Sequence, residues 1–243
     1  MTSDAKVIGI RRGEAGLVFD VPGAPAIPLR HIIGIGRNYA EHAKEQAADV
    51  PERPMVFTKN PMAACLNGDD IVVPRVCQDR EQVDWEAELA VVIGRDAKDV
   101  SLDRALGFVL GYACANDVSA RWWQKEGAGG QFCRGKSFDT FCPIGPVVVP
   151  ARSVPDPQGL RVRCRVNGAT MQDGHTRDMI FPVARLVSDL SQGTTLQAGT
   201  VILTGTPSGV GMARKPPVWL RHGDEVEVEI DGLGVLRNRV RFE

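Results

Sequence analysis

Three acidic residues in two short stretches carry the chain's clearest chemistry. Glu86 and Glu88 stand two apart within residues 83–94, where polar and apolar positions alternate before an apolar run closes on Gly94. That pattern predicts a β-strand. Side chains alternate across a strand, so the two glutamates share one face and Trp85, Ala87 and Leu89 the other. Two residues span roughly 6.5–7 Å, close enough for both carboxylates to bend toward one cation. Carboxylates at the mouth of a packed interior need a partner, and a hard divalent metal supplies one. A solvated polar face on an edge strand is the other reading of the same pattern. A third acid, Asp117, ends the apolar run of residues 111–116, and Arg121 and Gln124 follow it three apart. Three acids would leave a bound metal positions for water and substrate.

Further candidates lie on either side. His42 and Glu45 are three apart in a segment predicted as helix over residues 40–45, so they share a face. The carboxylate can hold one imidazole nitrogen and leave the other to take a proton, as a general base requires. The same spacing also describes a surface i,i+3 pair. Lys136 sits between Gly135 and Phe138, a setting that aims a lysine inward. Residues 204–211, Thr-Gly-Thr-Pro-Ser-Gly-Val-Gly, follow an apolar strand and offer backbone amides to an anion, without the spacing of a nucleotide loop. Gly34 and Gly36 lack the third glycine of a dinucleotide fingerprint.

Composition narrows the function. A net charge of −1 on 243 residues leaves no electrostatic footprint for nucleic acid, and no basic amphipathic stretch points to a membrane surface. No apolar segment approaches the ~20 residues of a membrane helix, and no basic-then-apolar leader opens the sequence, so the expected setting is cytoplasmic. The six cysteines form no C-x-x-C pair or cluster and are expected as reduced, mostly buried thiols.

The elements that must position these groups are predominantly strands. Residues 1–30 are expected to form a small N-terminal β appendage and residues 31–243 the main domain. Strands are predicted near residues 6–10, 16–20, 31–36, 54–59, 71–74, 83–94 and 111–116, and again over 160–168, 201–204, 224–230 and 234–242. Helices are predicted over residues 40–45, 101–110 (capped by Ser101) and 178–190. Asn167-Gly168 marks a hairpin turn, and the arginines of residues 160–166 are expected to form a solvated face.

The motifs taken together resemble the fumarylacetoacetate hydrolase family. They are Gly36-Arg37-Asn38-Tyr39 with His42 and Glu45, Asp84-Trp85-Glu86-Ala87-Glu88-Leu89, and Asn116-Asp117-Val118-Ser119-Ala120-Arg121 with Gln124. Gly135-Lys136-Ser137-Phe138-Asp139-Thr140 and the residue 204–211 loop complete the set. Residues 214–226 are most similar to its domain-containing-protein-2, acylpyruvase-like branch. The resemblance implies a mixed α/β, β-rich roll with flanking helices and a homodimer. It implies Mg2+ or Mn2+ on Glu86, Glu88 and Asp117, and a substrate pocket lined by Arg37, Arg121, Gln124, Lys136 and Thr206. His42 and Glu45 are implied to sit on a lid. Trp122 and the Ala128-Gly129-Gly130 loop depart from the family pattern and bear on substrate choice.

The chemistry expected is enolate chemistry on a small 2-oxo acid, with a Lewis-acidic metal and the positive charge of Lys136 and Arg121. The expected reaction is C–C hydrolysis of acylpyruvate-like 2,4-dioxo acids. There His42 activates a water and Lys136 stabilises or protonates the developing charge. Decarboxylation or keto–enol tautomerisation of oxaloacetate is the alternative at the same site, and a non-catalytic metal-binding β module is a further one.

Overall fold

The computed structural model describes residues 7–45 and 51–243. A seven-stranded mixed sheet runs in the spatial order Met55–Lys59, His31–Gly36, Thr200–Leu203, Ala87–Ile93, Val109–Asn116, Cys142–Pro150 and Ala64–Cys65. A five-stranded sheet comprises Ala169–His175, Arg161–Val166, Glu225–Ile230, Gly234–Phe242 and Asp70–Val73. Thr200–Leu203 is parallel to His31–Gly36 and antiparallel to Ala87–Ile93, so the large sheet mixes both pairings. The fold is mixed α/β and rich in strand.

The apolar run after Glu88 is buried on both faces of the sheet. Ala87, Leu89, Val91 and Ile93 point into one core, shared with the five-stranded sheet and the helix Val183–Ser191. Ala90 and Val92 point into a second core with Ile32, Val201 and Ala113. That second core also takes Ile8, Leu17, Phe19 and Leu29 from the N-terminal strands Gly9–Gly13 and Gly16–Asp20 and their flanks. Ile8 joins Val148 through an isolated bridge, so this small three-stranded sheet is packed onto the large one. A strand sandwiched between two cores has no room for polar side chains except at its end, where Glu88 lies.

Several elements differ from the sequence expectation. The predicted strand over residues 83–94 is two strands, Val83–Asp84 and Ala87–Ile93. Between them the Glu86 amide donates to Asn116 Oδ1 and the Glu86 carbonyl accepts from the Asp117 amide, which turns the chain out of the ladder. The predicted helix over residues 101–110 is a 3-10 segment, Leu102–Phe108, with no side-chain cap from Ser101. Only Ala105 of that segment is buried, while Leu102 and Leu106 stay exposed; Val109 already pairs with Ile93 in the sheet. Lys136 ends a short helix, Phe132–Lys136, where no helix is predicted from the sequence. The expected strand at residues 6–10 falls at Gly9–Gly13, and Lys6 and Asp49 lie outside the described residues.

The helix predicted over residues 178–190 is the shorter Val183–Ser191, after a 3-10 turn at Thr176–Asp178, and further elements stand where predicted. They include the helix Ala40–Glu45 and the hairpin at Asn167-Gly168, where both residues have positive φ. All six cysteines are free thiols; five are buried and Cys133 is exposed. Arg163 and Arg165 pair with Glu229, and Arg161 with Asp173, on the outer face of the five-stranded sheet. Among the described residues no helix is long and apolar enough to cross a membrane.

Trp85 is fully buried in the first core, and its indole donates to the Gly209 carbonyl at 3.3 Å. Trp85→Ala is expected to cost about 3–5 kcal/mol of unfolding free energy in urea titrations, since a large buried ring leaves a cavity.

Candidate active site

Register gathers the three acids. The strands Ala87–Ile93 and Val109–Asn116 are antiparallel with Glu88 opposite Ala115 and Ala87 opposite Asn116. Continuing one step brings Asp117 beside Glu86, where the Asp117 amide donates to the Glu86 carbonyl at 2.8 Å. Glu86, Glu88 and Asp117 therefore reach one point, each buried, with ligand-competent atoms all within 4.8 Å of one another. The solvated edge-strand reading does not hold here.

Three buried cations face these acids. Lys136 Nζ donates to Asp117 Oδ2 (2.6 Å), Glu86 Oε2 (2.8 Å) and Ser119 Oγ (2.8 Å). Arg121 donates to Asp84 Oδ2 (2.9 Å), Glu86 Oε1 (2.6 Å) and Gln124 Oε1 (2.9 Å). Lys59 approaches from the far side, donating to Asp117 Oδ1 (2.5 Å) and the Phe141 carbonyl (2.7 Å). With Asp84 included, the cluster holds one more acid than base. Glu88 bears the imbalance: burial, and then the charges of Asp117 and Glu86, push its carboxyl well above the usual range. Burial would raise Glu86 too, but Lys136 and Arg121 outweigh it and hold that carboxyl below its ordinary value. Burial would lower Lys136, and Asp117 and Glu86 reverse this and keep its ammonium charged.

The glycine-rich loop after Thr200–Leu203 does hold anions, and they are the protein's own carboxylates. The Gly205 amide donates to Glu88 (2.6 Å), the Gly209 amide to Glu45 (2.9 Å), and the Gly211 and Met212 amides to Asp84 (2.7 and 3.0 Å). His42 is 4% exposed, and its Nδ1 lies 2.6 Å from Glu45 Oε1. The pair is thus docked by Glu45 onto the loop, and the surface-pair reading does not hold.

A cavity of about 130 Å3 lies between these parts, bordered by Arg37, His42, Glu86, Glu88, Arg121, Gln124, Lys136 and Thr206. Every residue proposed from sequence borders it except Glu45, behind His42, and Asp117, beneath Lys136. Phe57 supplies an apolar wall, with Lys136 Nζ 4.9 Å from its ring centroid. Arg121 is oriented inward to hold the site's own acids. Thr206 is fixed by Gln172, which donates to its hydroxyl at 2.7 Å, and by its own bond to the Ala87 carbonyl at 2.8 Å.

Sequence reasoning passed over Asp84, Lys59, Ser119 and Gln172. Asp84 had a signal, because the two-residue period of Glu86 and Glu88 extends back to it. Lys59 had a weaker one, a cation at the end of an apolar strand. Gln172 comes from a distant hairpin and had none.

These acids fit a hard divalent cation. They are oxygen donors from three side chains, buried together, where burial and mutual repulsion raise the Glu88 carboxyl and a cation would relieve both. The fold and this cluster define a metal-dependent enzyme, and its family is the fumarylacetoacetate hydrolase family: residues 31–241 match the fumarylacetoacetate (FAA) hydrolase C-terminal family, to which the chain belongs. Human oxaloacetate tautomerase FAHD2A, mitochondrial, is 46% identical over 217 residues, 89% of this chain and 68% of that protein. Oxaloacetate tautomerase YisK of Bacillus subtilis is 46% identical over 215 residues, 88% of this chain and 70% of its own length. Among solved structures, the fumarylpyruvate hydrolase of Pseudomonas aeruginosa in complex with Mn2+ and pyruvate superposes with a TM-score of 0.81. It is 31% identical and covers 100% of this chain and 99% of its own.

Because burial and the charges of Asp117 and Glu86 push the Glu88 carboxyl above its usual range, affinity for Mg2+ or Mn2+ is expected to rise with pH as that carboxyl ionises. Calorimetry in buffers of different ionisation enthalpy checks this by counting the protons released on binding. Glu88→Gln, isosteric with the protonated acid, is expected to keep the metal-free melting temperature and lose the metal-induced rise.

Proposed function

We propose that this chain is a divalent-metal-dependent oxaloacetate keto–enol tautomerase. The observation that carries the reading is the cavity in which a docked His–Glu pair faces the acid cluster. The tautomerase names of the relatives at 46% identity point the same way.

In this reading Glu86, Glu88 and Asp117 hold the cation, which when bound polarises the 2-oxo group and makes the adjacent C–H more acidic. His42 takes a proton from C3, with Glu45 fixing the ring and stabilising its charged form. Lys136, kept charged by Asp117 and Glu86, offsets charge developing on the substrate oxygen. Delivery of a proton to that oxygen completes the exchange, and only C–H and O–H bonds change. Arg121 holds Glu86 in place as a ligand, while Gln124, Thr206 and Arg37 border the bound acid. The working unit is a homodimer, in line with the resemblance.

C–C hydrolysis of an acylpyruvate-like 2,4-dioxo acid is the second reading. It is favoured by the same His42–Glu45 pair, which is suited to activating a water, and by the likeness to a fumarylpyruvate hydrolase. Oxaloacetate decarboxylation passes through the same enolate.

The decay of the oxaloacetate enol absorbance should accelerate with protein plus Mg2+ or Mn2+, and His42→Ala should slow that catalysis ~10²–10⁴-fold. If oxaloacetate exchange were not accelerated while acetylpyruvate or fumarylpyruvate was cleaved, the hydrolase reading would replace this one.

A further inference from the structure

Inside the cavity the ionisable groups each have a hydrogen-bond partner. Glu86 is held by Lys136 and Arg121, Glu88 by the Gly205 amide, and His42 by Glu45. At its border two cations remain, Arg37 and Lys125, whose side chains meet no anion among the described residues. Lys125 is exposed and solvated. Arg37 is half-buried, so the residue gives up part of its hydration with no counter-charge among the described residues in return.

The backbone delivers Arg37 to this position at a conformational cost. Its φ is +49°, in the left-handed region that non-glycine residues seldom occupy. Asn38 holds the turn there. Its side-chain amide donates to the Phe181 carbonyl (3.0 Å) and the Thr204 carbonyl (2.7 Å), and its oxygen accepts from the Phe181 amide (2.7 Å). The Asn38 carbonyl in turn accepts from the Ile180 amide at 2.8 Å. Two distant segments thus clamp a strained turn whose product is an arginine at the cavity border, pre-positioned before any ligand arrives.

We propose that Arg37 is the receptor for a second carboxylate on the substrate, the one remote from the 2-oxo group, and that its ion pair protects that carboxylate from leaving as CO2. The inference rests on the tautomerase reading and assigns one residue to discriminating oxaloacetate from 2-oxo monocarboxylates. The chemistry is a matter of where charge goes. In proton exchange the remote carboxylate stays charged throughout, so a bidentate guanidinium pair stabilises ground and transition states alike. In decarboxylation the C3–C4 bond breaks, its electron pair stays on the three-carbon fragment as the enolate, and the carboxylate departs as neutral CO2. The ion pair is lost along that path, so Arg37 raises its barrier relative to exchange.

The test compares wild type, Arg37→Met and Arg37→Lys, each Mn2+-loaded and each checked by circular dichroism for an unchanged melt. Binding of malate and lactate, unreactive hydroxy acids with and without the remote carboxylate, is measured by calorimetry. Arg37→Met is expected to weaken malate by roughly 10- to 100-fold and leave lactate unchanged, with Arg37→Lys between. With oxaloacetate, pyruvate released per tautomerisation event, read by coupled lactate dehydrogenase, is expected to rise in Arg37→Met. Equal weakening of malate and lactate, wild-type binding that does not distinguish them, or an unchanged pyruvate ratio would overturn the proposal. If malate discrimination depends on Arg37 while wild type leaves the oxaloacetate enol rate unchanged, the receptor stands and the tautomerase reading falls.

Discussion

Four buried carboxylates, Asp84, Glu86, Glu88 and Asp117, meet three buried cations, Lys59, Arg121 and Lys136, at the ends of strands that are otherwise apolar. Removing so many charges from water is costly unless every lone pair finds a donor. The arrangement comes one positive charge short, and the Glu88 carboxyl is pushed up by burial and by the charges of Asp117 and Glu86. That deficit makes the cluster receptive to a divalent cation, and it constrains everything nearby. Lys59 secures one Asp117 oxygen from behind while Lys136 takes the other on the cavity side. Arg121 is spent on holding Asp84, Glu86 and Gln124.

The same demand explains the loop of residues 204–212. Its amides satisfy Glu88, Glu45 and Asp84 in turn, so one backbone segment fixes a metal ligand, the partner of His42 and the partner of Arg121. Gly209 has φ +105° and lies so close to the Met171 carbonyl that a Cβ would collide with it. Next to Met171, Gln172 bridges the Ala87 amide, Thr206 and Pro207. A hairpin from the second sheet therefore braces the loop that braces the site. Displacing any member would leave a buried polar group unpaired, which is why the parts hold one geometry.

Much of this was present in local pattern. The two-residue period placed Glu86 and Glu88 on one face, and the three-residue spacing put His42 beside Glu45, because side-chain direction repeats with the backbone over a few residues. The apolar runs ending at Asp117 and at Thr204 marked strands that open onto polar ends. The helix expected at residues 101–110 failed for the complementary reason. Its apolar spacing was local, and the pairing of Val109 with Ile93 took its last turn into the sheet.

What the sequence by itself determined is therefore which residues bear the chemistry and which neighbours along the chain share a face with them. Only the tertiary structure decided that Glu86 and Asp117 meet, that His42 is buried instead of exposed, that the glycine loop binds the protein's own acids, and that Arg121 is engaged by them. Each of those depends on pairs separated by roughly 30 to 160 residues, such as Glu86 with Asn116 and Glu45 with Gly209. Periodicity fixes direction over a turn or a strand, whereas charge balance in a buried cluster is set by whatever the sheet register brings together.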